Sequence, residues 1–252
     1  MPHKPEIVLI TGATGDFGKA FAKRFSAIGS KLILHGRDPK KLDEVVKLYP
    51  TAIPVVFDVT DKKAMKAAID TLPASHKNID LLINNAGGAL GLDKAQDADA
   101  DDWEKMIQIN VTGIALLTNY VVRGMAERKR GHIINVGSTA GNYPYAGGNV
   151  YGAAKAFVKQ FSLNLRADLI GTNIRVTNVE PGQAETQFST VRFKGDSEKA
   201  AKVYAGTKSL TPDDVAETVF WAATLPPHVN INRVELMPTC QSFAGLTVER
   251  NG

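Results

Sequence analysis

Ile7-Val8-Leu9-Ile10-Thr11-Gly12-Ala13-Thr14-Gly15-Asp16-Phe17-Gly18 begins as a run of four apolar residues, passes through a glycine-rich turn, and enters the amphipathic segment Phe17–Ile28. The run has the length of a buried strand and the segment behind it the length of a helix. Glycine lets the backbone turn tightly and approach a ligand, while the unpaired N–H groups and dipole of a helix start favour an anion. In a strand–turn–helix unit of this kind the turn is where a dinucleotide's pyrophosphate sits. Any tight strand-to-helix connection can use glycine, so the reading depends on its surroundings.

Working outward, further short apolar runs occur at Leu32–Leu34, Val55–Val59, Leu81–Ile83, Ile133–Val136, Ile174–Val179 and Val234–Met237. They alternate with amphipathic segments at Pro39–Lys47, Lys62–Leu72, Trp103–Glu127, Tyr151–Leu169 and Pro212–Ala223. This alternation predicts an α/β fold, a doubly wound parallel sheet of about seven strands with helices on both faces. Asp38-Pro39 and Thr211-Pro212-Asp213-Asp214 each read as an N-cap followed by proline at the first helical position. Asp99, Asp101 and Asp102 read as the acidic approach to the helix near Trp103. No repeat or linker interrupts the 252 residues. A single domain, 1–252, is expected, with the polar stretch 184–208 inserted as a lid.

Hydrophobic residues at 44% and charged residues at 22% are the balance of an ordinary globular chain. Only Met1 to Glu6 precede the first apolar run, which is far too short for a signal-peptide core or a membrane span. One cysteine, Cys240, forms no internal disulfide and suits a reducing compartment, so a cytoplasmic location without membrane association is expected. The net charge of +4 suits acidic ligands. Its densest cluster, Arg123, Arg128, Lys129 and Arg130 before Gly131, reads as the cationic last turn of a helix and its C-cap glycine. No nucleic-acid motif or interleaved aromatics accompany it, so no nucleic-acid partner is expected. His3, His35, His76, His132 and His228 show no metal-ligand spacing.

The second apolar run ends in His35-Gly36-Arg37-Asp38, at the distance where the adenosine ribose of a dinucleotide lies. An acidic residue at this strand end would bind the ribose 2′-hydroxyl of NAD, but the slot holds Gly36 with Arg37 beside it. Guanidinium matches phosphate bidentately, which favours NADP with Arg37 and the Thr14 hydroxyl on the 2′-phosphate. Asp38 is the competing acid, and its place before Pro39 assigns it to the helix cap.

Ser138 follows the fifth candidate strand, Tyr151 lies thirteen residues on, and Lys155 one helical turn beyond. Positions i and i+4 share a helix face, so Tyr151 and Lys155 can point together into a cleft at the strands' carboxyl ends. A phenol with a pKa of about 10 is a poor acid–base catalyst at neutral pH unless a neighbouring ammonium favours its phenolate. The bland reading is an amphipathic helix start for the pair and a strand-end turn for Ser138.

Taken in order, Thr11 to Gly18, Asn84-Asn85-Ala86-Gly87, Asn110, Ser138, Tyr151-Gly-Ala-Ala-Lys155 and Pro181-Gly-Gln-Ala-Glu-Thr186 resemble the motifs of the short-chain dehydrogenase/reductase family over essentially the whole chain. The resemblance implies a Rossmann-fold oxidoreductase acting on CH–OH groups. In it Ser138 would hold the substrate oxygen and Tyr151 would exchange its proton. Lys155 would bind the nicotinamide ribose and lower the tyrosine pKa, and Asn110 would hold a relay water. Gly12, Thr14, Phe17 and Gly18 would line the pyrophosphate, Asp58 and Val59 the adenine, and Asn85, Ala86 and Gly87 the cofactor's middle. Pro181, Gly182 and Thr186 would embrace the nicotinamide. One departure stands out: the family's middle phosphate-loop glycine falls at Asp16. A carboxylate is unwelcome near pyrophosphate, but Asp tolerates positive φ, so its side chain is expected to turn to solvent.

Gly131 to Gly141, Tyr145 to Tyr151, Val191 to Asp196 and His228 to Asn232 bring the likeness closer to NADP-dependent 3-hydroxy acid dehydrogenases, the serine and L-allo-threonine branch. Gln183 to Phe188 leans toward the related sulfoacetaldehyde reductases. Both substrates are small anions, a 3-hydroxy acid with its 3-oxo acid or semialdehyde, or an aldehyde sulfonate. A cationic clamp is expected, with Arg192 first and Lys194 second, against the reading of both as solvated lid residues. Tyr145 and Asn149 are placed near the pocket by their closeness to Tyr151. A non-catalytic NADP-binding sensor would have no need of Asn110, Ser138, Tyr151 and Lys155. The resemblance further implies a homotetramer packed through Trp103–Glu127 and Tyr151–Leu169, and the partly apolar tail from Cys240 to Gly252, which follows the last strand, is expected to dock on a neighbouring subunit.

Overall fold

A computed structural model describes residues 3–243. Seven strands, β1 (Ile7–Ile10), β2 (Lys31–Gly36), β3 (Ile53–Val56), β4 (Leu81–Asn84), β5 (Gly131–Val136), β6 (Ile174–Pro181) and β7 (Arg233–Leu236), form one sheet in the order β3-β2-β1-β4-β5-β6-β7. Every pairing is parallel. Every residue of β1, β4 and β6 is buried, as strands covered on both faces must be. One face packs on Phe21 and Phe25 of α1 (Asp16–Ser26) and on Val215 and Val219 of α9 (Pro212–Thr224). The other packs on Met65 of α3 (Lys62–Asp70) and on Leu117, Val121 and Met125 of α5 (Ile114–Glu127). The order in which strands are added reverses between β1 and β4, which opens a cleft at the carboxyl ends of these parallel neighbours.

Helix starts follow the local chemistry. The Asp38 carboxylate accepts from the Lys40 and Lys41 amides at 3.0 and 3.2 Å at the start of α2 (Pro39–Val46). Thr211 and Asp214 close a reciprocal capping box on α9.

Beyond shifts of a residue or a few at element ends, the structure differs from expectation at β3, at Trp103–Glu127 and at Gly131. β3 ends at Val56 rather than Val59, because the Asp58 carboxylate accepts from the Thr60 amide and hydroxyl at 2.9 and 2.8 Å and folds the chain into a turn. The segment Trp103–Glu127 is not one helix: α4 (Ala100–Ile107) runs into a π-helical stretch, Gln108–Gly113, before α5. At this widened turn the Asn110 amide donates to the carbonyls of Gly88 and Met106 at 2.8 and 2.9 Å. Finally, Gly131 is not the cap of α5 but the first residue of β5, where a Cβ would lie 2.5 Å from the Met125 sulfur. Lys129 takes the left-handed conformation instead, at φ 50°.

The polar stretch 184–208 carries two helices, α7 (Phe188–Arg192) and α8 (Ser197–Tyr204). α6 (Asn149–Asp168) lies between β5 and β6. Among the described residues no helix is long and apolar enough to cross a membrane, and no cluster of side chains is able to hold a metal ion. Most of the tail for which docking was expected, residues 244–252, lies outside the described residues.

Candidate active site

The turn after β1 is built for close approach. Gly12 has φ +65°, and a Cβ on Gly18 would lie 2.3 Å from the Gly12 carbonyl, so only glycine lets α1 pack onto the turn. The N-cap of α1, Gly15, brings no side chain to the helix's first amides, which leaves them to a ligand. Thr11 ties this turn to the end of β4: its hydroxyl accepts from the Asn85 and Ala86 amides at 2.9 and 2.8 Å. The Asn85 side-chain Nδ2 donates back to the carbonyls of Thr11 and Gly12 at 2.9 and 3.2 Å.

His35 lies buried beneath the turn, a role that the sequence reading missed. The Phe57 carbonyl, 3.0 Å from Nε2, can only accept, so Nε2 carries the proton and Nδ1 accepts from the Gly12 amide at 3.4 Å. Burial lowers the His35 pKa to about 4, so the ring stays neutral.

Asp16 departs from expectation. It is the first residue of α1, without positive φ, and its carboxylate turns toward the polar insertion rather than solvent, accepting from the Gln187 amide at 2.7 Å.

At the end of β2, a Cβ on Gly36 would lie 3.2 Å from the Thr14 methyl, so Thr14 stands where a longer side chain would otherwise reach. Arg37 is exposed and makes no hydrogen bond or ion pair among the described residues. Its charge is felt at Asp58: burial pushes that carboxyl up, but the Thr60 hydrogen bonds and the Arg37 field outweigh it and hold it below the ordinary carboxylate range. With Asp38 committed to its cap, the open glycine cradle, the free helix amides and an uncommitted guanidinium fit a dinucleotide bearing a 2′-phosphate.

Opposite this cradle, α6 sets Tyr151 and Lys155 on one face, 8% and 5% exposed. The Lys155 ammonium donates to the Val136 carbonyl at 2.8 Å and lies 5.8 Å from the centre of the Tyr151 ring. Burial lowers its pKa to about 8. The Tyr151 pKa moves opposite to the expected direction. Burial and the neighbouring Tyr145 push the phenol well above its usual value, against a smaller opposing effect of the Ser138 hydrogen bond and the Arg192 charge. Lys155 turns its ammonium to the Val136 carbonyl, and burial holds Tyr151 as a neutral phenol. Ser138 accepts from the Ala140 amide at 3.1 Å and donates to the Pro181 carbonyl at 3.4 Å. Asn110 completes the cluster from beneath: a Cβ on Gly87 would lie 2.8 Å from its Oδ1 and 3.6 Å from the Lys155 nitrogen.

The insertion folds over this cluster. The Phe188 ring lies 5.6 Å from that of Tyr151. The Arg192 guanidinium stands 5.7 Å from the centre of the Tyr151 ring and donates to the Tyr145 hydroxyl at 3.0 Å. Lys194 and Asn149 each have a further partner. Lys194 pairs with Asp102 at 2.8 Å, and the Asn149 amide donates to the Asp93 carbonyl at 3.2 Å. Pro181 ends β6, and Gly182 packs against Gln241, whose side chain accepts from the Gln183 amide at 2.7 Å. Thr186 accepts from the Phe188 amide at 3.2 Å. Beneath this loop the buried Glu180 carboxylate accepts from Arg233, Asn142 and Asn178. Phe188, Glu180 and Gln241 went unassigned in the sequence reading, because Tyr151, Arg233 and Gln183, which they meet, lie 37, 53 and 58 positions away in the chain.

A phosphate-binding turn at the switch point of a parallel sheet, facing a buried tyrosine–lysine pair, defines a nucleotide-dependent dehydrogenase. Residues 6–197 match the family described as short chain dehydrogenase, and the chain belongs to that family. It is 55% identical over 247 residues, 97% of this chain and 100% of the relative, to the NADP-dependent 3-hydroxy acid dehydrogenase YdfG of Salmonella typhi. It is 47% identical over 250 residues, 98% of this chain and 99% of the relative, to sulfoacetaldehyde reductase 2 of Chromohalobacter salexigens. Among solved structures, the closed form of serine dehydrogenase complexed with NADP+ superposes with a TM-score of 0.96 at 53% identity, covering 97% of this chain and 100% of that one. Serine dehydrogenase from Escherichia coli superposes at 0.83 with 48% identity, covering 94% and 99%.

Proposed function

We propose that this chain is an NADP-dependent oxidoreductase that interconverts a small 3-hydroxy acid and its 3-oxo acid or semialdehyde. The observation that carries the reading is the Arg192 guanidinium, 5.7 Å from the Tyr151 ring and bonded to Tyr145, which puts a cation beside the proton-bearing phenol. A carboxylate there would be drawn to Arg192 while its neighbouring carbonyl meets the Tyr151 and Ser138 hydroxyls. The names of the relatives at 55% and 53% identity support the same substrate class. An aldehyde sulfonate presents the same anion and carbonyl, and the relative at 47% keeps it as the second reading.

Bound in the cradle, NADPH would supply the hydride for reduction, and NADP+ would accept it in the reverse direction. Gly12, Gly18 and the amides of Phe17 and its neighbours hold its pyrophosphate, Thr14 and Arg37 its 2′-phosphate, and Asp58 with Val59 the adenine. Asn85, Ala86, Gly87, Pro181, Gly182 and Thr186 enclose the remainder. Ser138 orients the substrate oxygen. Tyr151, kept protonated by burial, donates its proton to that oxygen as charge develops, and the buried Lys155 supports the phenolate left behind. Asn110 anchors the relay side of the cluster.

The 252 residues act as one domain with 184–208 as lid, in a cytoplasmic homotetramer. The lone exposed Cys240 and the half-exposed, stacked Phe157 and Phe161 on α6 support that reading. Sedimentation velocity tests the assembly. The activity is tested by following NADPH consumption with malonic semialdehyde and sulfoacetaldehyde in parallel, with NADH controls. Reduction of the semialdehyde with NADPH is expected. Reduction of neither, with NADPH still bound, would overturn the small-anion pocket.

A further inference from the structure

We propose that Asp16 is a positioning residue: from the phosphate-binding turn, its carboxylate latches the lid closed over the substrate site. The glycine usual in the family at this place has no side chain to do so. The proposal rests on reading 184–208 as a lid, and its supports are separate from those of the substrate assignment.

The contact joins residues 171 positions apart in sequence, a 2.7 Å hydrogen bond from the Gln187 amide to the Asp16 carboxylate. Hydrogen bonds to an ionised acceptor are the stronger kind, and this one fixes backbone rather than a mobile side chain. The other attachments of this part of the lid run to the opposite wall of the cleft. Arg192 exchanges hydrogen bonds with the backbone of Gly91 and donates to Tyr145, while Lys194 pairs with Asp102. Among the described hydrogen bonds and ion pairs, Asp16 alone joins this segment to the nucleotide-binding turn. Gln187 immediately precedes α7, and that single short helix carries both Phe188 and Arg192. Holding Gln187 therefore sets where the phenyl ring and the guanidinium stand over Tyr151.

The same carboxylate stands at the start of α1, among the amides that receive the pyrophosphate, where a negative charge opposes binding of another anion. The two effects have opposite signs, and that gives the latch a signature which general damage lacks. Replacing Asp16 with glycine should loosen the lid and raise KM for the aldehyde, while leaving NADPH binding as tight as before or tighter.

The test compares wild type, Asp16→Gly, Asp16→Asn and Gln187→Pro by hydrogen exchange of the amides from 187 to 192, alongside aldehyde KM and NADPH Kd. Gln187 has φ −65°, the value proline imposes, so Gln187→Pro removes the donor from the other side of the contact. Asp16→Gly is expected to speed exchange and raise KM, each about tenfold, without raising Kd. Asp16→Asn, which keeps an acceptor oxygen, should recover most of the protection. In the Gln187→Pro background, Asp16→Gly should slow neither closure nor turnover further. Unchanged exchange in Asp16→Gly, a parallel loss of NADPH affinity, or additive effects in the double variant would overturn the latch. Exchange reads the lid whatever the substrate, so a chain that shows the latch yet reduces neither aldehyde loses only the substrate assignment.

Discussion

Arg192 and Gly91 are joined twice: the Gly91 amide donates to the Arg192 carbonyl at 2.9 Å, and the Arg192 Nε donates to the Gly91 carbonyl at 2.9 Å. The pair fixes the guanidinium with one edge spent on the loop and the other facing Tyr145 and Tyr151. Arg192→Ala should therefore lower kcat/KM for an anionic aldehyde by about ten- to a hundredfold and barely change it for an uncharged aldehyde of equal size. Arg192→Lys, which keeps charge but not the fork, should fall between. Equal losses on charged and uncharged aldehydes would remove the anion-binding role.

Arg37 and Asp38 are neighbours with opposed duties. Arg37→Ala should weaken NADPH about ten- to a hundredfold while leaving NADH nearly unchanged, because only the 2′-phosphate is lost as a partner. Asp38→Ala should instead cost about 1 kcal/mol of stability through the lost cap and leave the NADPH-to-NADH ratio alone. Titration of both variants with both cofactors separates the roles; a changed ratio in Asp38→Ala would put its carboxylate at the ribose.

His35 makes the phosphate turn sensitive to acid. Its pKa is near 4 in the folded chain and about 6.5 when unfolded, so between these values the unfolded state binds more protons and stability falls with falling pH. The loss attributable to this ring should reach about 2 kcal/mol by pH 5, and His35→Gln should abolish that part of the slope. Urea unfolding of both proteins from pH 7 to pH 4.5 measures it, and parallel curves would show that the ring is not held neutral.

The nucleotide half was legible because its signals are local. The turn from Thr11 to Gly18, the strand end at Gly36-Arg37 and the cap at Asp38 each declare themselves within a few residues. Tyr151 and Lys155 were legible for the same reason, since i and i+4 share a helix face. What escaped depends on distance or on small irregularities. The Asp16 carboxylate finds its partner 171 residues away, and no local rule points it there. The π-helical turn around Asn110 widens a helix without disturbing its apolar pattern, so Trp103–Glu127 read as continuous. Lys194 read as the second candidate for the anion clamp after Arg192, but its backbone is left-handed at φ 53° and its side chain pairs with Asp102.

The direction of the Tyr151 shift was illegible as well. The helix register pairs tyrosine with lysine, yet burial dominates the phenol, and the lysine is drawn to the Val136 carbonyl.

Tyr151→Phe tests the central claim most directly, because it keeps the ring against Phe188 and removes only the hydroxyl. Single-turnover reduction and NADPH binding should be measured on the same preparation. Turnover is predicted to fall roughly a hundred- to ten-thousandfold with NADPH affinity unchanged, as befits loss of the proton donor alone. Turnover near that of the unaltered chain would contradict the account and move the proton donor to another group.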